Sequence, residues 1–266
     1  MTYETISFFS DLGHGDENVG LAHSIIREVA PLTSVVDICH SIGLGDTRSA
    51  ALMIARSVPY LAPGIVLAVV DHAMDRPPIA VEVGDGQAVL VGPDSGVLGA
   101  AVAVVGGAQR AIRLTSDQYR IPSPGALHEG RDVLAPAAAH LAAGVRLEDL
   151  GDLIDPAALV PSLVPVPRVD DSGAVASEVL GVDRRGAVQL NVDRETITML
   201  GPVIVAAWHE EKRVMRVVDT GEEVASGQFV LAEDPHGLMS IVAGNGSASS
   251  ELKMGIGTEV TLSEAK

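Results

Sequence analysis

The chain has 266 residues, 47% of them hydrophobic, with 18 basic against 35 acidic side chains and a net charge of −17. That length and apolar content imply packed cores, in one large or two smaller domains, and exclude a disordered chain. The acidic balance repels nucleic-acid phosphate and anionic membrane, and a single cysteine, Cys39, excludes an intrachain disulfide or a cysteine zinc cluster.

In chain order, the first run, Ile6-Ser7-Phe8-Phe9-Ser10, stops on Asp11. A helix is expected over 16–27, with Asp16 and Glu17 at its N-terminus and Val19, Leu21, Ile25 and Ile26 as its apolar positions. The second run, Val35-Val36-Asp37-Ile38-Cys39, stops on His40, and Asp46-Thr47 then caps a helix through Ala50, Met53 and Ile54. The third, 65–70, stops on Asp71-His72. Such runs, separated by helices, read as buried parallel strands, and the carboxyl ends of those strands are where open α/β sheets bind ligands. Runs at 79–83 and 88–91 bracket Gly84-Asp85-Gly86 as a hairpin. Helices are expected at 97–105 and, Ala-rich, at 131–143. No apolar stretch reaches the roughly 18 residues of a membrane helix, and the start lacks a signal-peptide pattern, so a cytoplasmic protein without membrane contact is expected.

Pro156, Pro161, Pro165 and Pro167, followed by Asp170-Asp171-Ser172-Gly173, have the composition of a linker. Short alternating runs follow at 176–182, 187–192, 203–208, 213–218, 229–231, 239–242 and 259–262, with Gly-rich turns between them. The expected architecture is an α/β N-terminal domain (1–160) with a mainly parallel sheet, a linker (161–174), and a smaller all-β barrel or sandwich domain (175–266).

No Gly-x-Gly-x-x-Gly follows the first strand, and neither a Walker A sequence nor a Gly-x-Ser-x-Gly elbow occurs. What stands at the strand ends is a set of oxygen and imidazole groups: Asp11, Asp16, His40, Asp71, His72, Asp75 and His128. The set is compatible with a metal-dependent hydrolase, or with a metal-free site in which an acid positions water. The absence of spacings such as His-Glu-x-x-His leans towards the metal-free site. Each residue also has a structural reading: Asp16 as a helix cap, His40 as a hydrogen-bonded structural histidine, Asp71-His72 and Asp75-Arg76 as a surface ion-paired loop, and Arg131-Asp132 as a helix-start charge pair.

The order of these groups is similar to that in the SAM hydroxide adenosyltransferases, relatives of the fluorinase and chlorinase. Ser10-Asp11-Leu12-Gly13 with Asp16 and Val19-Gly20 resembles the family's T-D-F-G…D…V-G, and Val35-Val36-Asp37-Ile38-Cys39-His40 its V-D-I-x-H strand. Val91-Gly92-Pro93-Asp94-Ser95-Gly96 resembles V-G-P-D-N-G, and Gly130-Arg131-Asp132-Val133-Leu134-Ala135-Pro136 resembles G-R-D-I-F-A-P. The resemblance implies attack of water on the 5′ carbon of S-adenosyl-L-methionine (SAM), with no cofactor and no metal. It implies Asp71, Arg76 and His128 as the catalytic set, with Asp11 (a ribose acceptor), Asp16, Asp183 and Asn191 as substrate contacts. It also implies a homotrimer whose active sites lie between subunits. Three departures stand out. The family's D-P-G-V-G-T-x-R-R segment is shortened to Asp71-His72-Ala73-Met74-Asp75-Arg76. In F-H-G-R-D an ungapped alignment puts Glu129 on the histidine position, whereas one inserted residue keeps His128 there, and His128 is taken because an imidazole can do the family's job. Arg185, Ala187 and Pro235 replace the usual Phe, Asn and Ser contacts. A SAM- or adenosine-binding protein with decayed catalysis, and a metal-dependent hydrolase using Asp11, His40, Asp71 and His72, are the alternatives. Halogenation is a minor further one, because a carboxylate at position 71 would repel halide.

Overall fold

The computed structural model describes residues 2–70, 76–162 and 164–265. The chain divides into two compact units, Met1–Val164 and Pro165–Lys266. The first unit runs β1 (Thr5–Ser10), α1 (Glu17–Val29), β2 (Ser34–Cys39), α2 (Thr47–Ser57), β3 (Gly64–Val69), β4 (Pro78–Val83), β5 (Ala88–Pro93), α3 (Gly99–Val104), β6 (Arg110–Arg113), α4 (Ala135–Ala142) and β7 (Asp152–Ile154). Its sheet has the order β2-β1-β3-β5-β4-β6-β7.

Alternation along β1 and β3 assigns side chains to the two faces of that sheet. Ile6, Phe8, Ile65, Leu67 and Val69 share a core with α1 and α4, while Phe9, Val66, Ala68 and Val70 share one with α2 and α3. β3 is buried at all six positions, the pattern of a strand covered on both faces. Apart from Ala68, each of these large buried side chains contributes roughly 1.5–3 kcal/mol over its exposed state. α4 is Ala-rich and buried except at His140.

The expectation of a mainly parallel sheet is only partly met. β2–β1, β1–β3 and β3–β5 pair parallel, but β5–β4, β4–β6 and β6–β7 pair antiparallel. The short 84–87 connection, expected as a hairpin, leaves no room for a parallel crossover and sets β4 antiparallel to β5. β6 and β7 then extend the antiparallel side. β2 is also less buried than its sequence implies, because it lies at the sheet edge with β1 as its one neighbour.

The second unit contains β8 (Arg168–Val169), β9 (Val175–Val182), β10 (Val188–Asp193), α5 (Arg194–Thr198), β11 (Val203–Trp208), β12 (Glu211–Val218), β13 (Phe229–Glu233), β14 (Leu238–Ala243), α6 (Ala248–Leu252) and β15 (Glu259–Glu264). The strands run β10-β14-β13-β12-β11-β15-β9, and β10 also pairs with β9. Seven strands therefore close into a barrel, with β8 laid against the outer edge of β9. Of the barrel and the sandwich, the barrel forms. Leu190, Ile204, Trp208, Met215, Leu231, Met239 and Leu262 fill its interior core.

Candidate active site

In the parallel half of the first unit, β2, β1 and β3 are neighbours, so their carboxyl ends stand side by side. Asp11 follows β1 directly and is 5% exposed. Its N–H donates to the Val69 carbonyl at the end of β3 (3.2 Å), and its Oδ2 accepts the Gly45 N–H from the loop after β2 (2.8 Å). One buried residue, through its backbone N–H and its carboxylate, thus links the ends of β1 and β3 to the loop after β2.

Behind it, the Ser10 hydroxyl lies 2.7 Å from His40 Nδ1, and His40 Nε2 lies 2.9 Å from Asp37 Oδ1. His23 Nε2 approaches the same oxygen at 2.8 Å. Burial works to raise the Asp37 carboxyl, but hydrogen bonds from His40 and His23 hold it below the ordinary aspartate value. The Ser–His–Asp connectivity resembles a nucleophilic triad. Ser10 has no exposed surface, however, so no substrate carbon reaches its hydroxyl. The chain is a support: the His40 carbonyl accepts the Gly13 N–H (2.7 Å), which fixes the loop leaving Asp11. His40 Nδ1 is taken by Ser10, and its buried Nε2 faces the Asp37 carboxylate. Among the described residues no group of three or more His, Cys, Asp or Glu is arranged to hold a metal ion.

The second structural contribution comes from the segment before α4. Gly130–Leu134 forms a π-helical turn, the Ala135 N–H bonding to the Gly130 carbonyl. Proline explains the irregularity. Pro136 has no N–H for the carbonyl four residues back, that of Asp132, and the Ile121 N–H donates there instead (3.0 Å). The loop through His128 is thereby drawn against the turn. Gly130 lies so close to β3 that a Cβ on it would come within 2.4 Å of Val69 Cγ1 and 3.3 Å of His128 Cε1. The half-buried His128 therefore stands next to the strand end that also receives Asp11. Asp132, fully buried, forms a two-pronged ion pair with Arg131 (Nε–Oδ1 2.5 Å, Nη2–Oδ2 2.9 Å). Burial works to raise its carboxyl, but the Arg131 guanidinium and the His128 backbone N–H outweigh that and hold it below the ordinary value.

The other expected residues are placed as follows. Asp71, with His72 and Asp75, lies outside the described residues; it follows Val69 by two positions. Arg76 is exposed at the start of the approach to β4. Asp16 is the N-cap of α1, its Oδ1 accepting from the Asn18 N–H (2.7 Å) and from Asn18 Nδ2 (2.9 Å). In the second unit, Asp183 sits in the β9–β10 turn, where its Oδ1 accepts the N–H groups of Arg185 and Ala187, both at 2.8 Å. Asn191 is buried in β10: its Oδ1 accepts the Glu178 N–H (2.8 Å), and its Nδ2 donates to the Pro165 carbonyl (3.0 Å). Its amide braces the wall of a cavity of about 230 Å³ bounded by Arg168, Glu178, Glu259 and Thr261.

The N-terminal domain of the SAM hydroxide adenosyltransferases matches residues 6–151, and the C-terminal domain matches 177–261. The chain belongs to the SAM hydroxide adenosyltransferase family. It is 36% identical over 247 residues to the (R)-S-adenosyl-L-methionine hydrolase of Salinispora tropica, covering 93% of each chain. To the protein of the same name from Thermus thermophilus it is 35% identical, covering 97% of this chain and 98% of the other. Among solved structures, an uncharacterized conserved protein from Thermotoga maritima superimposes with a TM-score of 0.87 at 25% identity, over 97% of this chain and all of that one.

In this adenosyltransferase-family chain, sequence reading had not found the roles of Gly45, Gly130, Asp132 and Pro136 at the strand ends. Two signals for them are present in the sequence. A proline two residues into an Ala-rich helix frees a carbonyl for a tertiary partner, and a glycine next to a charged pair marks a close approach.

Proposed function

We propose that this chain hydrolyses S-adenosyl-L-methionine to adenosine and L-methionine, water or hydroxide attacking the 5′ carbon. The observation that carries this reading is the 36% identity, over nearly the whole of both chains, to a protein named (R)-S-adenosyl-L-methionine hydrolase. In the reaction a bond forms between the water oxygen and the 5′ carbon. The carbon–sulfur bond breaks with its electron pair moving to sulfur, which leaves as the neutral thioether of methionine, and the water gives up a proton. A sulfonium needs little help to leave, so the protein's part is to hold water in line and exclude competing solvent.

In this reading Asp71 orients the water, with Arg76 and His128 assisting, and Asp11 accepts from the ribose hydroxyls. A carboxylate at position 71 also disfavours halide, which separates hydrolysis from halogenation. Asp16 acts close to the substrate from the start of α1, and Asp183 and Asn191 act on the methionine and nucleoside ends. The assembly is a cytoplasmic homotrimer in which Asp183 and Asn191 serve the site of a neighbouring subunit, and no cofactor takes part. The support for the strand-end assignments is the clustering of Asp11, Val69, Gly130 and His128. The test is to incubate the purified protein with SAM and separate the products. Adenosine with equimolar methionine is expected, and Asp71→Asn is expected to lose about 10²–10⁴-fold in kcat, the scale of a positioned acid–base group. Tight adenosine binding without turnover, or full activity in Asp71→Asn, would overturn the reading.

A further inference from the structure

The hydrogen bonds around His128 fix more than its position. Its backbone N–H donates to Asp132 Oδ2 (2.9 Å), while its side-chain Nδ1 accepts the backbone N–H of Arg131 (3.1 Å). This is the reciprocal arrangement of a capping box, with an imidazole nitrogen where a Ser or Thr oxygen usually stands and an aspartate one position beyond the usual acid. Both oxygens of that aspartate are gripped by the Arg131 guanidinium, and the Asp132 carbonyl is anchored to Ile121. The cap is therefore rigid at its base as well as at its tip.

A ring nitrogen whose lone pair accepts an N–H cannot also carry a proton. The neutral imidazole must then keep its single proton on Nε2. We infer that His128 works in the SAM hydrolysis proposed above as a neutral Nε2–H donor rather than as the base that takes the proton of water, and that Arg131 and Asp132 are positioning residues that impose this tautomer. The consequence is a division of labour. His128 offers its Nε2–H as a hydrogen-bond donor, and the proton of water passes to another group, for which Asp71 of the proposed set is the candidate. This rests on the functional reading for the part His128 plays, but the tautomer itself does not.

Two experiments test the inference. Long-range proton–nitrogen correlation spectra of uniformly ¹⁵N-labelled protein in alkaline buffer, with the His128 signals assigned by their loss in His128→Gln, should show a bare Nδ1 and a protonated Nε2. A ring found mainly as the Nδ1–H tautomer would overturn the inference, whether or not the protein turns over SAM. In kinetics, His128→Gln supplies an amide N–H donor but no base. It should keep kcat within about tenfold of wild type, while His128→Leu should lose about 10²–10³-fold, the scale of a removed oriented donor. Equal loss in both variants would argue for a base and against the inference. Asp132→Asn, which loosens the Arg131 grip, should lower kcat with KM for SAM unchanged and shift the His128 spectrum towards a mixture of tautomers. An unaltered spectrum in a folded Asp132→Asn protein would remove Asp132 from the positioning role. Should that variant not fold, the wild-type spectrum and the Gln/Leu pair at half-buried His128 still decide the donor claim.

Discussion

Asp132 has no exposed surface, and Arg131 is what lets it stay charged there. A buried carboxylate is tolerated only when it is paired and hydrogen-bonded, and both conditions are met by the guanidinium and the His128 N–H. Replacing Asp132 by Asn breaks the pair on one side, so it should destabilise the fold by about 3–5 kcal/mol, read as a lower urea midpoint. The pH dependence follows from sign. The folded-state pKa lies below the ordinary 3.8, so the carboxylate's contribution is complete above that value and is lost as pH falls through the depressed one. Over that acid window the wild type should lose stability more steeply than Asp132→Asn. Equal slopes in the two proteins would contradict the assignment. Read in the sequence, Arg131-Asp132 was a helix-start charge pair, which is correct about the position and silent about burial. Neighbours in sequence cannot show that the Ile121 N–H comes to the Asp132 carbonyl.

At the level of elements, the apolar runs ending at Asp11 and Asp71 were legible because β1 and β3 are covered on both faces, which leaves a continuous hydrophobic signature. β6 and β7 were not. Four residues framed by arginines, Arg110–Arg113, and three beginning with an aspartate, Asp152–Ile154, carry too few buried positions to register as strands. Whether a sheet is parallel also depends on connections, and β6 and β7 are what tip this one towards a mixed sheet. The π-helical turn is the element that sets His128 against β3, and Gly130 is its point of contact. Adding one methyl there places a Cβ 2.4 Å from Val69 Cγ1, so Gly130→Ala should cost about 1–3 kcal/mol through overpacking and lower kcat by displacing the His128 loop. Thermal unfolding and steady-state kinetics together check this. A variant with wild-type stability and turnover would show that the close approach does not matter.

On the scale of the whole molecule, the order of an α/β unit followed by an all-β unit was readable from one change of composition around the prolines near 160. Closure of the barrel was not, because it rests on the pairing of β9 with β10 and of β9 with β15, the latter between strands far apart in the chain. That Asp11 and His40 stand at strand ends was legible. Their different surroundings were not, since only the fold shows His40 held between Ser10 and Asp37 and His128 bonded to the turn before α4. The trimeric assembly proposed here predicts a solution mass near three times the 27.4 kDa of one chain, measurable by light scattering after size exclusion. A monomer with full SAM turnover would contradict shared sites.

The central claim is that water attacks the 5′ carbon of SAM, and isotope labelling tests it most directly. Turnover in oxygen-18-enriched water, followed by mass spectrometry of both products, should give adenosine carrying the heavy oxygen and methionine free of it. Adenosine without the label, or a 5′-halogenated nucleoside in place of adenosine, would contradict the account.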